Sequence, residues 1–274
     1  MITISTNIGG LSNRIKSWVS VIRINSNNYK VKWDVLDSYK KNIHILNCKF
    51  IDLFENKCEF TEKINKNYQQ FNSHCLFIKN DDKLPNNFNT FKSNCKKKFK
   101  CPDEKKRNID FMYNKIPDKL KKDYIKLFQI PKPIKLLNDK IINFSKQFTD
   151  KTISVHIRTW NRNGENGRRK YLFNIEKFEK KMLEFDNTYN FFICSDSEEV
   201  INKFKNNKKF KNRIYNYPRK SNLNTSRDFK EGIQEDLIEL YLLSKNNIII
   251  GSRFSTFTEV AWWIGGCTEN IFIL

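Results

Sequence analysis

The apolar positions of this chain fall into two regimes, and the second is the more regular. From Lys151 onward, short apolar runs alternate with stretches of helical spacing. ISVHI (153–157) predicts a strand. Ile175, Phe178, Met182 and Phe185 then recur on one helix face, and NFFICS (190–195) predicts a second strand. Val200, Ile201 and Phe204 predict a short helix, followed by a third strand at RIYNY (213–217). Ile233, Leu237, Leu240, Tyr241 and Ser244 share a face of a longer helix that leads into a strand at NIIIGS (247–252). A helix from about Thr256 to Ile264 and a last strand at IFIL close the pattern. Strands alternating with helices of this length need crossover connections, so βαβ units and a largely parallel sheet are expected, a Rossmann-like lobe.

The N-terminal half opens in a related way. A strand at Ile2–Ser5 meets a Gly9-Gly10 turn, and a helix follows whose apolar stripe is Leu11, Ile15, Trp18, Val19 and Ile22. KVKWDV (30–35) predicts a second strand. Residues 60–135 are rich in Asn, Lys and Phe and predict only scattered short elements. The boundary between lobes is expected near Phe144 to Lys151, giving an N-terminal lobe over 1–148 and a C-terminal one over 149–274. No internal repeat of fixed period is present.

With 274 residues, 39% of them hydrophobic, the chain can bury the core of one large or two modest domains. The first residues, MITISTNIGG, lack a basic start followed by a long apolar run, and no stretch approaches the roughly 20 apolar residues that span a bilayer. No export signal or membrane span is expected. The seven cysteines form no CxxC pair, and their odd number argues against a complete disulfide framework. A cytoplasmic location is expected, with peripheral attachment to a membrane as a variant of it.

The formal net charge of +21 implies attraction to polyanions or anionic surfaces. The excess is mostly lysine mixed with asparagine and isoleucine, which an AT-rich coding bias would also produce. It concentrates in Cys95–Arg107 and Lys203–Lys220, and each stretch reads equally well as a solvated face.

The chemistry gathers at predicted strand ends. In SVHIRTWNR, alternation puts His156 and Arg158 on one face of a strand. An arginine at the carboxyl end of a strand in an open α/β sheet points into the ligand crevice, and its fork suits phosphate oxygens. The site is therefore expected to take a nucleotide diphosphate, although an isolated HxR also fits a strand end with a surface salt bridge. In NIIIGSRFSTFTEVAWW, a strand, a hydroxyl-rich turn and a helix start succeed one another. Thr256 with Glu259 fits a capping box, and free N–H groups flanked by Ser252, Ser255, Thr256 and Thr258 make an anion site. Asp196 in ICSDSEE ends a strand and either accepts nucleoside donors or caps the next helix.

Taken together, GGLSNRIKSW, SVHIRTW, FFICSDSEEV and DLIELYLLSKNNIIIGSRFSTFTEVAWW resemble, in order and rough spacing, the GDP-fucose-dependent fucosyltransferase superfamily, which includes the α1,2, α1,6 and protein O-fucosyltransferases. The resemblance covers the first 25 or so residues and most of 150–265. It implies a GT-B-like α/β fold of two Rossmann-type lobes with a donor-binding cleft between them, inverting transfer, and no required metal or other cofactor. The absence of a DxD motif agrees with it.

By the same resemblance Arg158 holds the donor phosphate and stabilises the leaving GDP, with His156 on the nucleoside side. Ser255 and Thr256 fall where the turn meets the diphosphate. Glu239 falls where an aspartate on the guanine is usual, with Asp236 one turn earlier as an alternative. Gly10, Asn13 and Arg14 match the N-terminal motif that faces the donor. The usual HxRxxD is not completed, since Thr159, Trp160 and Asn161 follow Arg158. Glu165 lies near the place of a catalytic glutamate, one residue short in spacing, and reads otherwise as a solvated loop residue.

The reading that results is an inverting, metal-independent glycosyltransferase moving L-fucose from GDP-fucose to a glycan hydroxyl. Its partners are a nucleotide sugar and a glycan acceptor, with an anionic surface or lipid-linked acceptor as a further one. The alternatives are another NDP-sugar as donor, or a basic polyanion- or nucleic-acid-binding protein that is not an enzyme. No zinc-finger, RNA-recognition or helix-turn-helix signature supports specific nucleic-acid binding.

Overall fold

A computed structural model of the chain describes residues 1–6, 9–33, 46–64, 67–72, 76–79, 82, 90–92, 100–102, 116–160, 173–223 and 226–274. These form two compact units, 1–135 and 136–274. The division falls earlier than the Phe144–Lys151 boundary read from the sequence. The reason is local: Phe144 and Phe148 pack on Phe192, with ring centroids 5.6 and 5.1 Å away, and this draws the preceding helix into the second unit.

In the first unit β1 (Thr3–Ser5) is flanked by β2 (Tyr29–Val31) and β3 (Gln69–Phe71), both parallel to it. Helix α1 (Leu11–Ile24) follows β1 and buries nearly all its residues, so its predicted stripe is part of a wider buried surface. Trp18, Trp33, Phe50 and Phe54 form its aromatic core, with ring centroids 5.1 to 5.9 Å apart and mostly edge-on. A two-stranded antiparallel ribbon, β4 (Thr90–Lys92) and β5 (Lys100–Pro102), and helix α2 (Asp118–Phe128) complete what is described there. Helix α2 lies in the stretch read as irregular. It buries Leu120, Tyr124 and Phe128 at a spacing of four, and lysines cover its other face.

The second unit starts with α3 (Lys135–Ser145) and continues as β6 (Thr152–Ile157), α4 (Ile175–Leu183), β7 (Asn190–Ser195), α5 (Glu198–Asn206), β8 (Ile214–Tyr215), α6 (Lys230–Leu243), β9 (Ile248–Gly251), α7 (Thr256–Ile264) and β10 (Asn270–Ile273). Every strand of the predicted order is present, with ends shifted by up to two residues. The sheet is parallel throughout, in the order β10-β9-β6-β7-β8. Counting strands within the unit, this is the doubly wound order 3-2-1-4-5 read from the other edge. Ile153, Val155, Ile157, Phe191 and Ile193 pack under α4 and α5, against Phe178, Met182, Val200, Ile201 and Phe204. The alternate residues face α6 and α7. All six residues of β6 are buried, as a strand covered on both faces requires.

Winding reverses between β6 and β9. At such a switch point the connections leave in opposite directions, and a crevice opens beyond the carboxyl ends of the two strands. One close approach fixes its wall, because a Cβ on Gly251 would lie 2.1 Å from Thr258 Cγ2. Helix α7 therefore sits directly on the end of β9. Replacing Gly251 with alanine is expected to cost about 1–3 kcal/mol of stability through overpacking. Adding Thr258→Ser, which removes the offending methyl, should restore part of it in chemical denaturation. Equal stability of Gly251→Ala and wild type would refute the close packing.

Candidate functional site

The carboxyl ends of β6, β7 and β9 bring together most of the residues singled out in the second unit. Arg158 stands one residue past β6 and is 9% exposed. Its Nη1 meets Asp196 Oδ2 at 2.7 Å. The other oxygen of Asp196 accepts the backbone N–H of Thr159, also at 2.7 Å. One carboxylate thus holds both the guanidinium and the backbone after it. In this structure Asp196 positions Arg158, and the next helix is capped by Ser197, which accepts from Val200 N–H.

Ser252 ties the ends of β6 and β9 together. Its Oγ accepts from Arg158 N–H at 2.7 Å and donates to His156 O at 3.2 Å. His156 is buried, its ring 5.0 Å from Phe257 and its Nδ1 2.7 Å from Thr258 Oγ1. The imidazole therefore joins β6 to the first turn of α7. Trp160 lies beside Arg158, the guanidinium carbon 5.3 Å from the indole centroid. Thr159 Oγ1 is buried without a protein partner, the kind of exception that functional sites retain.

Helix α7 begins at Thr256 with Ser255 as its N-cap, where the sequence places it. The expected capping box does not form. Ser255 makes no side-chain cap bond, Glu259 lies one position too far along the helix and is buried, and the third helical residue is Thr258, already engaged with His156. The first turn of α7 therefore keeps N–H groups that no cap satisfies, at the positive end of the helix. Arg158 and this helix end, on adjacent strands of the switch point, are suited to a ligand bearing phosphate.

Asp236 and Glu239 are brought together around a residue the sequence did not single out. Arg219, in the loop after β8, meets Glu239 at 2.6 Å, Asp236 at 2.9 Å and Glu235 at 3.5 Å. Glu235 also accepts from the N–H groups of Lys220 and Ser221 and from the Ser221 hydroxyl. Burial alone would lower the Arg219 pKa, but Glu239, Asp236 and Glu235 hold it above its ordinary value. Burial first, and then Glu239, raise the Cys194 thiol well above its ordinary pKa. The only signal for Arg219 in the sequence was three carboxylates on one face of α6 at positions 235, 236 and 239, which need a buried counter-ion.

In the first unit Gly10 caps α1 with φ −60°, so the turn does not draw on glycine's left-handed freedom there. Asn13 follows in the first turns of the helix. Arg14 is buried, with Nε donating to Gly9 O at 2.9 Å and its guanidinium 4.9 Å from the Trp33 ring centroid. Glu165 lies outside the described residues.

No family model matches the chain, and no curated protein matches it in sequence. Solved structures do. A crystal structure of NodZ α-1,6-fucosyltransferase soaked with GDP-fucose superposes with a TM-score of 0.50 at 15% identity, covering 96% of this chain and 92% of that one. The fucosyltransferase NodZ from Bradyrhizobium, as its selenomethionine form, gives 0.51 at 15% identity over 95% and 90%. At this identity the likeness is one of fold. The chain thus has the GT-B-like α/β class that its sequence implied, with parallel Rossmann-type sheets, and the resemblance to fucosyltransferases extends from motifs to architecture.

Removing Asp196 should leave Arg158 buried without its counter-charge. Asp196→Ala is expected to lose about 3–5 kcal/mol, the usual cost of breaking a buried pair from one side. Asp196→Asn, which keeps an acceptor for Thr159 N–H, should lie between it and wild type. Urea denaturation of the three proteins checks this, and an Asp196→Ala stability equal to wild type would rule the pairing out.

Proposed function

We propose that the protein is an inverting glycosyltransferase that moves L-fucose from GDP-fucose to a hydroxyl of a glycan, without a metal. The observation that carries the reading is the pairing of a preorganised arginine with an uncapped helix end at the switch point of a parallel sheet. The fold shared with fucosyltransferases supports the donor class. As the acceptor hydroxyl attacks C1 of the sugar, negative charge builds on the departing diphosphate. Arg158, held by Asp196, and the first turn of α7 with Ser252, Ser255 and Thr256 are disposed to stabilise it. Such fixed donors act most strongly where charge develops in a partly desolvated site. His156 keeps helix and strand together, so the nucleotide binds a prearranged surface.

Acceptor activation requires a base, and a carboxylate serves for a sugar hydroxyl. Glu165 follows Arg158 by seven residues and is the candidate for that role. Glu165→Gln should lower turnover roughly 10²–10⁴-fold with GDP affinity nearly intact. Unchanged turnover would assign Glu165 to the solvated loop.

The deciding experiment is thermal stabilisation by GDP, UDP, CDP and ADP in excess EDTA, followed by transfer assays with GDP-fucose. A shift confined to GDP, with transfer surviving chelation, is expected. Arg158→Ala should lose both GDP affinity and rate, the latter by on the order of 10²–10³. Arg158→Lys, which keeps charge but not the fork, should be almost as damaging. Folded Arg158→Ala with near-normal transfer would leave the glycosyltransferase reading without its central residue.

A further inference from the structure

At the carboxyl end of β9 the chain carries a second arginine. His156 pairs with Gly251 in the β6–β9 register, so Arg158 and Arg253 each stand two residues beyond the same paired position. Neighbouring strands lie about 4.8 Å apart. The two segments also stay tied past the end of the ladder, through Arg158 N–H to Ser252 Oγ at 2.7 Å and Ser252 Oγ to His156 O at 3.2 Å. Both arginines therefore leave the sheet at one level, on either side of the switch point.

Their surroundings differ in an informative way. Arg158 is buried and paired with Asp196, whereas Arg253 is exposed. The backbone of Arg253 is nevertheless fixed, its N–H donating to Leu274 O at 2.9 Å. Its guanidinium stands 5.2 Å from the centroid of Phe254. Phe254 has φ 58°, a conformation that bulky residues rarely adopt. It turns the chain between Arg253 and the N-cap Ser255, so the arginine leaves the turn beside the first residues of α7.

A terminal phosphate carries roughly two negative charges near neutral pH. The Arg158–Asp196 pair is neutral overall and leaves much of that charge uncompensated. We infer that Arg253 is a second anion-binding residue, meeting the terminal phosphate of the bound nucleoside diphosphate from the β9 side while Arg158 meets it from the β6 side. This rests on the nucleoside-diphosphate reading of the site.

Calorimetric titration of GDP and GMP into wild type, Arg253→Gln and Arg253→Lys tests the inference. Arg253 is exposed, so both variants should melt with wild type. Arg253→Gln is expected to weaken GDP about tenfold, as loss of one charge-assisted contact does, while GMP, which lacks the terminal phosphate, is held almost as before. Arg253→Lys should recover part of the loss, and the salt dependence of GDP binding should be shallower in Arg253→Gln. With wild type binding GDP, an unchanged GDP affinity in Arg253→Gln, or an equal loss for GDP and GMP, would overturn the role of Arg253 and leave the function intact. Failure of wild type to bind GDP or inorganic pyrophosphate would overturn the reading of the site, and this inference with it.

Discussion

The pairing of β6 with β9 is the constraint on which the rest of the second unit depends. These strands are remote in sequence yet adjacent in the sheet, with β7 and β8 wound to one side and β10 to the other. The connections diverge there, the arrangement at which open α/β sheets leave a crevice beyond their strand ends. The same pairing sets Gly251 beside His156, and the absence of a side chain at Gly251 lets α7 approach closely enough for Thr258 to reach the imidazole. Ser252 then closes the ladder with two bonds to β6 in place of further strand. A register shift by one residue would put His156 and Arg158 on the opposite face of the sheet, under α4 and α5.

Arg158 and Arg219 are built to opposite electrostatic ends. Among the described residues Arg158 meets the carboxylate of Asp196 and has an indole beside it. Arg219 has three carboxylates, Glu235, Asp236 and Glu239. Among the described residues the first group pairs one cation with one carboxylate next to a positive helix end, whereas the second sets one cation among three carboxylates. The Arg219 network straps the loop after β8 to α6. The carboxylates at 236 and 239 owe their burial to this guanidinium.

The order of strands and helices beyond residue 150 was legible because the strands there are short apolar or alternating runs and α4 and α5 each show an apolar face. Helix α2 was not, since DKLKKDYIKLF buries only every fourth residue and its lysines read as solvent-facing coil. The start of α7 was legible from its hydroxyls, but the capping box that Thr256 and Glu259 suggest does not form. A pattern of Thr and Glu at the right spacing cannot reveal that Ser255 is the N-cap, nor that Thr258 is claimed by a histidine 102 positions away. His156, Arg158, Asp196 and Ser252, singled out at predicted strand ends, lie together because those strands are neighbours in the sheet. Arg219 left only an indirect signal, its carboxylate partners on a helix 16 to 20 residues ahead, and only the folded loop brings them together.

Both strands at the switch point end in the same device, an aromatic residue with positive φ three positions after the last strand residue: Trp160 at 59° and Phe254 at 58°. A left-handed backbone at a bulky side chain costs of order 1–3 kcal/mol and persists only where surrounding contacts impose it. The contacts here are identifiable. Asp196 fixes the backbone at Thr159, and Leu274 fixes it at Arg253, so in each loop the chain is pinned immediately before it turns. In each loop the ring lies beside the arginine that precedes it, 5.3 Å from Arg158 for Trp160 and 5.2 Å from Arg253 for Phe254. The strain is therefore stored at the carboxyl ends of β6 and β9, and the stability it consumes is offset by the parallel core beneath them.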